Sequence, residues 1–356
     1  MLRKEFIIAI DSFFCYNHNR FFLSMIRLSL SLINSMAGVL INYFSKREVN
    51  ILNETKNYIT FLDMVANCIR DVYKEEVIVE HSVSTKNNGV QMEGLMLRKV
   101  GEQVAPNFYL NRQFEEWKKG IKSLYEIVTD ICCVFEEELQ NNQHLAETIC
   151  FEWEAMKENI FLRLINRDKN MELLKKIPYM EFMDLAVVYF YSIDISKEVQ
   201  GTVVLTKEHL QLLGVTMEEL HQTATENTRN LRPVKVYQMN DLIAKVGKKL
   251  GIEGLAYNTE INFMYLFSNE SNMFGAIAMF FEEELKQFAE KLNCSFFVLP
   301  SSIHEVILVP DNKMILLDKF VEMVQDINAT QVHETEILSD SVYYYDKTGE
   351  QLRRVG

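Results

Sequence analysis

The chain lacks the short motifs by which most enzymes and cofactor-binding proteins are identified. It contains no Gly-x-x-x-x-Gly-Lys-Ser/Thr loop, no His-Glu-x-x-His and no Gly-x-Ser-x-Gly, which excludes a P-loop nucleotide site, a zinc-protease helix and a nucleophile elbow. No two cysteines have Cys-x-x-Cys spacing, and the seven histidines are scattered, so a structural zinc site is not expected. We therefore predict no metal and no cofactor.

Proline and cysteine are also scarce. Five prolines occur in 356 residues, and no proline-rich linker, internal repeat or low-complexity tract interrupts the chain. Six cysteines are too few for a disulfide scaffold at this length, which favours a reducing compartment. The predicted location is therefore the cytoplasm.

Basic side chains are outnumbered by acidic ones, with 37 lysines and arginines against 50 aspartates and glutamates. The formal net charge is −13, and the first fifty residues hold six basic side chains against three acidic ones, so the remaining body is more acidic still. Nucleic-acid binding depends largely on lysines and arginines that neutralise phosphates. We expect no nucleic-acid partner, and the predicted partner is an unidentified protein or a small ligand.

The first fifty residues differ from the rest in composition and in the sign of their charge. Residues 21–44 are about as long as a membrane span needs to be, yet Arg27, Asn34 and Asn42 interrupt them. Three interpretations stay open: a membrane-associated helix, a helix that packs on the body, and upstream sequence translated from a misplaced start codon. We favour the third, and expect a membrane partner only if residues 21–44 are a genuine anchor.

Beyond this extension of residues 1–50, apolar spacing predicts a first part over residues 51–178. Apolar side chains recur at helical intervals over residues 57–76, which predicts an amphipathic helix. Asn88-Gly89 predicts a two-residue hairpin turn, because both residues readily adopt positive φ. A long helix is predicted from Arg112 to Asn141, and residues 145–177 are expected to continue helically.

A second part, residues 179–356, is predicted to alternate strands and helices. The continuous apolar run Leu185–Tyr191 is typical of a central strand buried on both faces. Thr216 and Glu219 are spaced as a helix-capping box. Residues 272–280 are expected to be strand, ahead of a helix over 282–292. No regular βαβ or barrel rhythm appears, so the predicted class is α+β, with mixed, mostly antiparallel sheets flanked by helices.

Several ordered blocks of sequence carry a resemblance to a known family. They are Lys86-Asn-Asn-Gly-Val with Glu93-Gly-Leu, Pro106-Asn-Phe-Tyr-Leu-Asn, Glu181-Phe-Met-Asp-Leu-Ala-Val-Val-Tyr, Leu213-Gly-Val-Thr-Met-Glu-Glu-Leu, Ala224-Thr-Glu-Asn, Leu299-Pro-Ser-Ser-Ile-His-Glu-Val, and Asn328-Ala-Thr-Gln-Val followed by Leu338-Ser-Asp-Ser-Val-Tyr.

Over about residues 57–346 the chain resembles a bacterial family of unknown function that is common in anaerobic gut Firmicutes. Residues 185–230 and the strand pair near 300–309 are also distantly similar to another uncharacterised Firmicutes family of cytoplasmic α+β proteins. Since the first family has no assigned activity, the resemblance implies no functional residues. The N-terminal extension departs from the family.

One stretch places reactive side chains between two apolar runs. Ser301, Ser302, His304 and Glu305 supply hydroxyls, an imidazole and a carboxylate, the parts of a nucleophilic site. In a strand, Ser302 and His304 would share one face and the other two residues the opposite face, so a triad could not converge. We predict a turn entering a strand, with a ligand or partner surface as the first alternative and catalysis as the second; no residue is taken as catalytic.

Two further clusters have a simple structural interpretation. Cys132 and Cys133 lie within a predicted helix and have no basic neighbour to form a thiolate, so packing is favoured over redox chemistry. Tyr343–Tyr345 is predicted either as a strand packed within the protein or as an edge strand whose exposed rings contact another chain.

These observations favour a cytoplasmic α+β binding or interaction protein without catalysis. The alternative is a hydrolase or transferase whose site is assembled around Ser301–Glu305 from distant segments. A membrane-tethered form of the binding protein is a third hypothesis, and it depends only on residues 21–44.

Overall fold

The structure is a computed structural model that describes residues 11–12, 57–101, 105–148, 152–194, 200–242, 244, 264–313 and 317–356. The predicted membrane segment, residues 21–44, lies outside these ranges. Within them, no helix combines the length and the apolar character that crossing a membrane requires.

Helices and strands follow one another irregularly. The principal helices are α1 (Tyr58–Tyr73), α2 (Asn111–Lys118), α3 (Leu124–Thr148), α4 (Trp153–Met156), α5 (Met171–Leu174), α6 (Lys207–Leu213), α7 (Met217–Leu231), α8 (Glu282–Leu292) and α9 (Leu317–Thr330). The strands are β1 (Asp11–Ser12), β2 (Val77–Thr85), β3 (Gln91–Lys99), β4 (Asn107–Phe108), β5 (Ile160–Asn166), β6 (Tyr179–Phe182), β7 (Leu185–Asp194), β8 (Gln200–Val204), β9 (Val234–Gln238), β10 (Tyr265–Asn269), β11 (Phe296–Pro300), β12 (Val306–Pro310), β13 (Tyr343–Asp346) and β14 (Gln351–Arg354). The sheets are built from antiparallel pairs, which confirms the predicted α+β class.

Contacts within the chain define two compact units. Among the described residues, the first unit contains those within Met1–Thr85, Gln91–Cys150 and Ser192–Val203, and the second contains those within Lys86–Val90, Phe151–Tyr191 and Val204–Gly356. The first unit has one hydrophobic core and the second has a large core with two smaller clusters. The predicted division of the chain into domains at residue 178 stays a prediction.

The first unit combines helices α1, α2 and α3 with the three-stranded sheet β2-β3-β4. Helix α1 is amphipathic, as predicted, and Phe61, Leu62 and Val65 on its inner face are fully buried. Its first turn is capped by Asn57, whose side chain accepts a hydrogen bond of 3.1 Å from the backbone N–H of Ile59. Apolar periodicity and a cap therefore specify this helix together.

The single helix predicted from Arg112 to Asn141 is wrong, because two helices occupy the segment. Gly120 has φ of +68°, the left-handed conformation that commonly ends a helix, and it lies one residue past Lys119, the C-cap of α2. Helix α3 begins with a reciprocal cap: the N–H of Ser123 donates to Glu126 Oε2 at 2.8 Å, and the N–H of Glu126 donates to Ser123 Oγ at 3.2 Å.

In the second unit, strand β7 is flanked by β5 and β6, with Phe161 opposite Phe190 and Met180 opposite Val187. The predicted central strand is confirmed, since Ala186 and Tyr189, on opposite faces of β7, are both fully buried. A six-stranded sheet follows in the order β14-β13-β11-β12-β10-β9.

Two predictions in the second unit are wrong for one physical reason. Residues 145–177 were expected to be helical, yet β5 lies there with all seven of its residues buried. Residues 272–280 were expected to be strand, yet Gly275–Phe280 is a 3₁₀ helix. A segment buried on all sides has no alternation of polar and apolar residues, so a short apolar run does not distinguish strand from helix.

The predicted hairpin and its positive φ values are confirmed, with φ of 62° at Asn88 and 71° at Gly89. The predicted two-residue turn is wrong, because Lys86–Val90 separate the strands and Asn87–Gly89 form a short 3₁₀ turn. The side chain of Asn88 also bonds within the second unit. Its Nδ2 donates to the carbonyls of Glu334 and Ile337, both at 2.8 Å, and its Oδ1 accepts from Asn170 Nδ2 at 3.0 Å. Asparagine therefore supplies both the positive φ and the anchoring hydrogen bonds.

The C-terminal tyrosines do not form an exposed edge. Strand β13 lies between β11 and β14, and Tyr343 and Tyr345 are buried. Tyr344 is half-buried, and its ring packs on Phe297 at a centroid distance of 5.0 Å. The packed alternative is therefore correct.

Candidate functional site

Residues 301–305 form the turn that joins β11 to β12 in the second unit. The hydroxyls of Ser302 and Ser301 donate to Glu305 Oε1 at 3.1 and 3.4 Å, and the backbone N–H groups of both serines donate to the Glu305 carbonyl. The N–H of His304 donates to Ser302 Oγ at 3.0 Å. Three of the four candidate side chains therefore converge, because the segment is a turn and not a strand, and their bonds close that turn.

The imidazole of His304 points away from these hydroxyls. Its Nδ1 accepts the backbone N–H of Phe274 at 3.1 Å, and its ring stacks on the Phe274 ring with 12° between the planes. Its Nε2 lies 3.9 Å from Glu336 Oε1. Within the described part of the chain, neither serine hydroxyl is hydrogen-bonded to this ring.

The hydrogen bond at Nδ1 decides the chemistry of His304. A neutral imidazole that accepts at Nδ1 carries its proton on Nε2. The nitrogen that could take a proton from a nucleophile is therefore occupied by a backbone donor. The ring is also largely buried, with 20% of the side chain exposed.

Phe274 is held between His304 and an arginine. The guanidinium carbon of Arg163, on β5, lies 5.0 Å from the centre of the Phe274 ring, within reach of a cation–π contact. Phe274 has φ of 55°, a conformation rare for a bulky residue and found where the surroundings enforce it. Phe190 packs against the same ring with its centroid 4.9 Å away. Sequence reasoning missed this cluster, since its members are far apart along the chain.

Burial lowers the pKa of His304 below its ordinary value of 6.5. The carboxylates of Glu336 and Glu305 act in the opposite direction, and the guanidinium of Arg163 lowers the pKa further. The balance keeps the ring neutral at neutral pH, as the bond from Phe274 requires.

Acidification below pH 6.5 is expected to lower the free energy of unfolding through His304. The unfolded chain binds a proton at this residue before the folded chain does, so stability falls as pH falls through the folded pKa and is fully present above 6.5. Urea unfolding at a series of pH values, with an NMR titration of the imidazole, measures both quantities.

His304→Asn is the matched variant, because its amide oxygen can accept from Phe274 without titrating. Burial lowers the pKa of His209 and His221 as well, so the variant should lose only part of the pH dependence. A folded His304 that titrates above 6.5 would contradict the prediction.

Other reactive groups in the described residues are held in their neutral forms by burial. The pKa of the Cys132 thiol is raised to about 12, and those of Cys133 and Cys294 are raised as well. Tyr189 OH lies 2.9 Å from His221 Nδ1, and burial raises the pKa of this phenol. None of these groups is activated as a nucleophile.

In the same ranges, no group of three or more His, Cys, Asp and Glu side chains is arranged to hold a metal ion.

Comparison with known proteins identifies a family. A family model described as a family of unknown function (DUF5688) matches residues 58–347, which is most of the chain. The comparisons with curated proteins and with solved structures gave no match. The extent of the family match shows that the chain belongs to the DUF5688 family.

Proposed function

We propose that the protein is a non-catalytic binding protein whose ligand is another polypeptide. The observation that carries this proposal is that the chain itself uses the reactive groups of its strongest candidate site. Both serine hydroxyls donate to Glu305, and Nδ1 of His304 accepts from the backbone of Phe274. Groups engaged in this way stabilise a turn, and the imidazole that a serine–histidine site would use as its base accepts from a backbone N–H and not from a serine hydroxyl.

The alternative is a hydrolase or transferase with a site around Ser301–Glu305. It has the required residue types, but it would need the His304 ring to leave Phe274 before catalysis. The binding protein requires no such rearrangement, so we prefer it. Ser301, Ser302, His304 and Glu305 then remain a proposed ligand or partner surface.

We place the protein in the cytoplasm of an anaerobic gut Firmicute. The described cysteines Cys68, Cys132, Cys133 and Cys294 are free thiols, which supports a reducing compartment. The source and the distant similarity of the C-terminal half to a second family stay predictions, and so does the membrane-tethered form.

The test compares the full chain with its Ser302→Ala variant, each purified from the source organism and measured by native mass spectrometry. We expect both to carry the same polypeptide in a fixed ratio, because the proposed binding requires no reaction at the Ser302 hydroxyl. A covalent adduct or a released product that requires Ser302 would establish catalysis instead. A chain that carries no polypeptide under any growth condition would also refute the proposal.

A further inference from the structure

The first unit presents a sheet edge at β2. In the sheet order β2-β3-β4, β2 pairs on one side with β3, and within the described residues no strand pairs with its other side. The N–H of Val100 donates to the carbonyl of Glu76 at 3.0 Å, so even-numbered residues direct their backbone groups toward β3. Because this direction alternates in an antiparallel pair, the odd-numbered residues of β2 direct theirs outward.

One end of this edge is covered by a side chain, and the other end is exposed in the described part of the chain. At Val79 the outward carbonyl accepts a hydrogen bond of 2.7 Å from Arg70 Nη2. Beyond it, His81, Val83 and Thr85 are exposed, and Val83 is 66% exposed. Their outward N–H and C=O groups form a template that another extended chain can pair with.

Helix α1 runs beside the open edge. Asp63 Oδ1 lies 2.9 Å from His81 Nε2, and Ile59 lies one helical turn earlier with 38% of its surface exposed. Val83 lies on the same face of β2 as His81 and pairs with Glu93 on β3. The carbonyl of Glu93 accepts a hydrogen bond from the hydroxyl of Tyr58, the residue before Ile59. We call Ile59, Asp63, His81, Val83 and Glu93 the edge groove.

The charges around the edge groove favour a basic partner. Asp63 and Glu93 supply two carboxylates at the face that holds Val83, and Glu80 adds a third on the opposite face of β2. The guanidinium of Arg70 keeps its charge but is directed to the carbonyl of Val79 and to Oδ1 of Asn67, the latter at 3.0 Å, at the covered end of the edge. Ile59 and Val83 add an exposed apolar contact. An extended segment that alternates apolar and basic side chains would satisfy both features, since alternate side chains of a strand face opposite sides.

On the basis of the binding function proposed above, we propose that the β2 edge from His81 to Thr85 binds an extended segment of a partner protein by strand addition. An apolar side chain of that segment packs on Ile59 and Val83, and a lysine or arginine lies beside Asp63 and Glu93. Main-chain hydrogen bonds supply affinity and the alternate side chains supply specificity.

The probe is a short fluorescein-labelled peptide of alternating valine and lysine, titrated against the full chain and followed by anisotropy. Val83→Pro removes one outward N–H but none that faces β3, so the sheet should survive. We expect Val83→Pro to weaken binding about tenfold or more and Val83→Ala only a few-fold. A valine–glutamate peptide should bind at least about tenfold more weakly than the lysine peptide.

Amide hydrogen exchange locates the contact. The amides of His81, Val83 and Thr85 should exchange fast in the free chain and slow when the peptide binds, while those of Ser82 and Ser84 are protected throughout. Retained protection at Ser82 and Ser84 also shows that Val83→Pro is folded.

A second measurement leaves the protein unchanged. Two versions of the peptide are prepared, one N-methylated on its odd-numbered residues and the other on its even-numbered residues, so that each version lacks the N–H groups of one strand edge. Strand addition uses only one edge of the peptide, so only one version should lose binding. Equal binding of both versions, or no binding by any of these peptides, would overturn the docking site. The proposed function would survive that result if the complex from the source organism were still recovered with Val83→Pro, and would fail if no polypeptide were recovered with the native chain.

Discussion

Replacing Asp184 with alanine is expected to lower the free energy of unfolding by about 3–5 kcal/mol. The side chain is buried, with 9% of its residue surface exposed. Its two oxygens accept hydrogen bonds from Ser339 Oγ and Tyr343 OH, both at 2.7 Å. Alanine would leave two buried hydroxyl donors without this acceptor, and each unsatisfied group costs about 1–3 kcal/mol. Urea unfolding at neutral pH measures the loss.

Neighbouring tyrosines provide the control for this prediction. Tyr343→Phe should lower the free energy of unfolding by about 2 kcal/mol, because it removes one hydrogen-bond donor to a buried carboxylate. Tyr344→Phe removes a hydroxyl that donates to Asp311 Oδ2 at 2.9 Å from a half-buried position and should lose less than about 1 kcal/mol. The double variant Asp184→Ala/Tyr343→Phe should lower the free energy of unfolding by less than the sum of the two single-variant losses. Equal losses for the two tyrosines would contradict a special role for Asp184.

Most elements with a clear period or cap were predictable from sequence. Helix α1 shows apolar side chains at helical spacing, and Thr216 caps α7 by accepting from the N–H of Glu219 at 3.2 Å, which is one of the two bonds of the predicted capping box. Local signals sufficed here because the interactions that define each element lie within a few residues of one another.

Errors arose where burial removed the pattern or where a local signal was overlooked. Strand β5 and the 3₁₀ helix at Gly275–Phe280 are almost wholly buried, so neither displays a polar face from which a period can be read. The break between α2 and α3 was marked in the sequence by Gly120 and by Ser123 three residues before Glu126. That spacing is a capping signal, and apolar residues on both sides of it obscured the break.

The candidate site shows a sharper limit of sequence reasoning. The turn at residues 301–305 was predictable from its position between two apolar runs. The partners of His304 were not, because Phe274 and Glu336 lie about thirty residues away on either side and reach the ring only through the sheet and its loops. The sequence shows that an imidazole lies near two hydroxyls along the chain. Which atoms that imidazole hydrogen-bonds is determined by tertiary contacts, which the sequence does not show.

The close packing around His304 depends on a glycine. A methyl group added at Gly275 would lie 2.7 Å from the carbonyl oxygen of His304 and 2.8 Å from the backbone nitrogen of Asn269, and closer still to Ser268 Oγ. Real Cβ atoms essentially never approach heavy atoms within 3.0 Å. Two of these neighbours are backbone atoms of the strand and turn that frame the site, so side-chain rotation cannot relieve the clash.

Gly275→Ala is therefore expected to lower the free energy of unfolding by about 3 kcal/mol or more, at the upper end for overpacking. Displacement of the Phe274–Gly275 backbone should also weaken the bond from Phe274 to His304 and move the pKa of His304 back toward its ordinary value. Gly349→Ala is the control, because its nearest neighbour, Asp346 Oδ2, would be 3.4 Å away and its effect should stay within about 0.5 kcal/mol. Denaturant unfolding and an NMR titration measure the two effects. A Gly275→Ala protein as stable as Gly349→Ala would show that the segment can move away from His304, and the turn would then be free to rearrange as the hydrolase alternative requires.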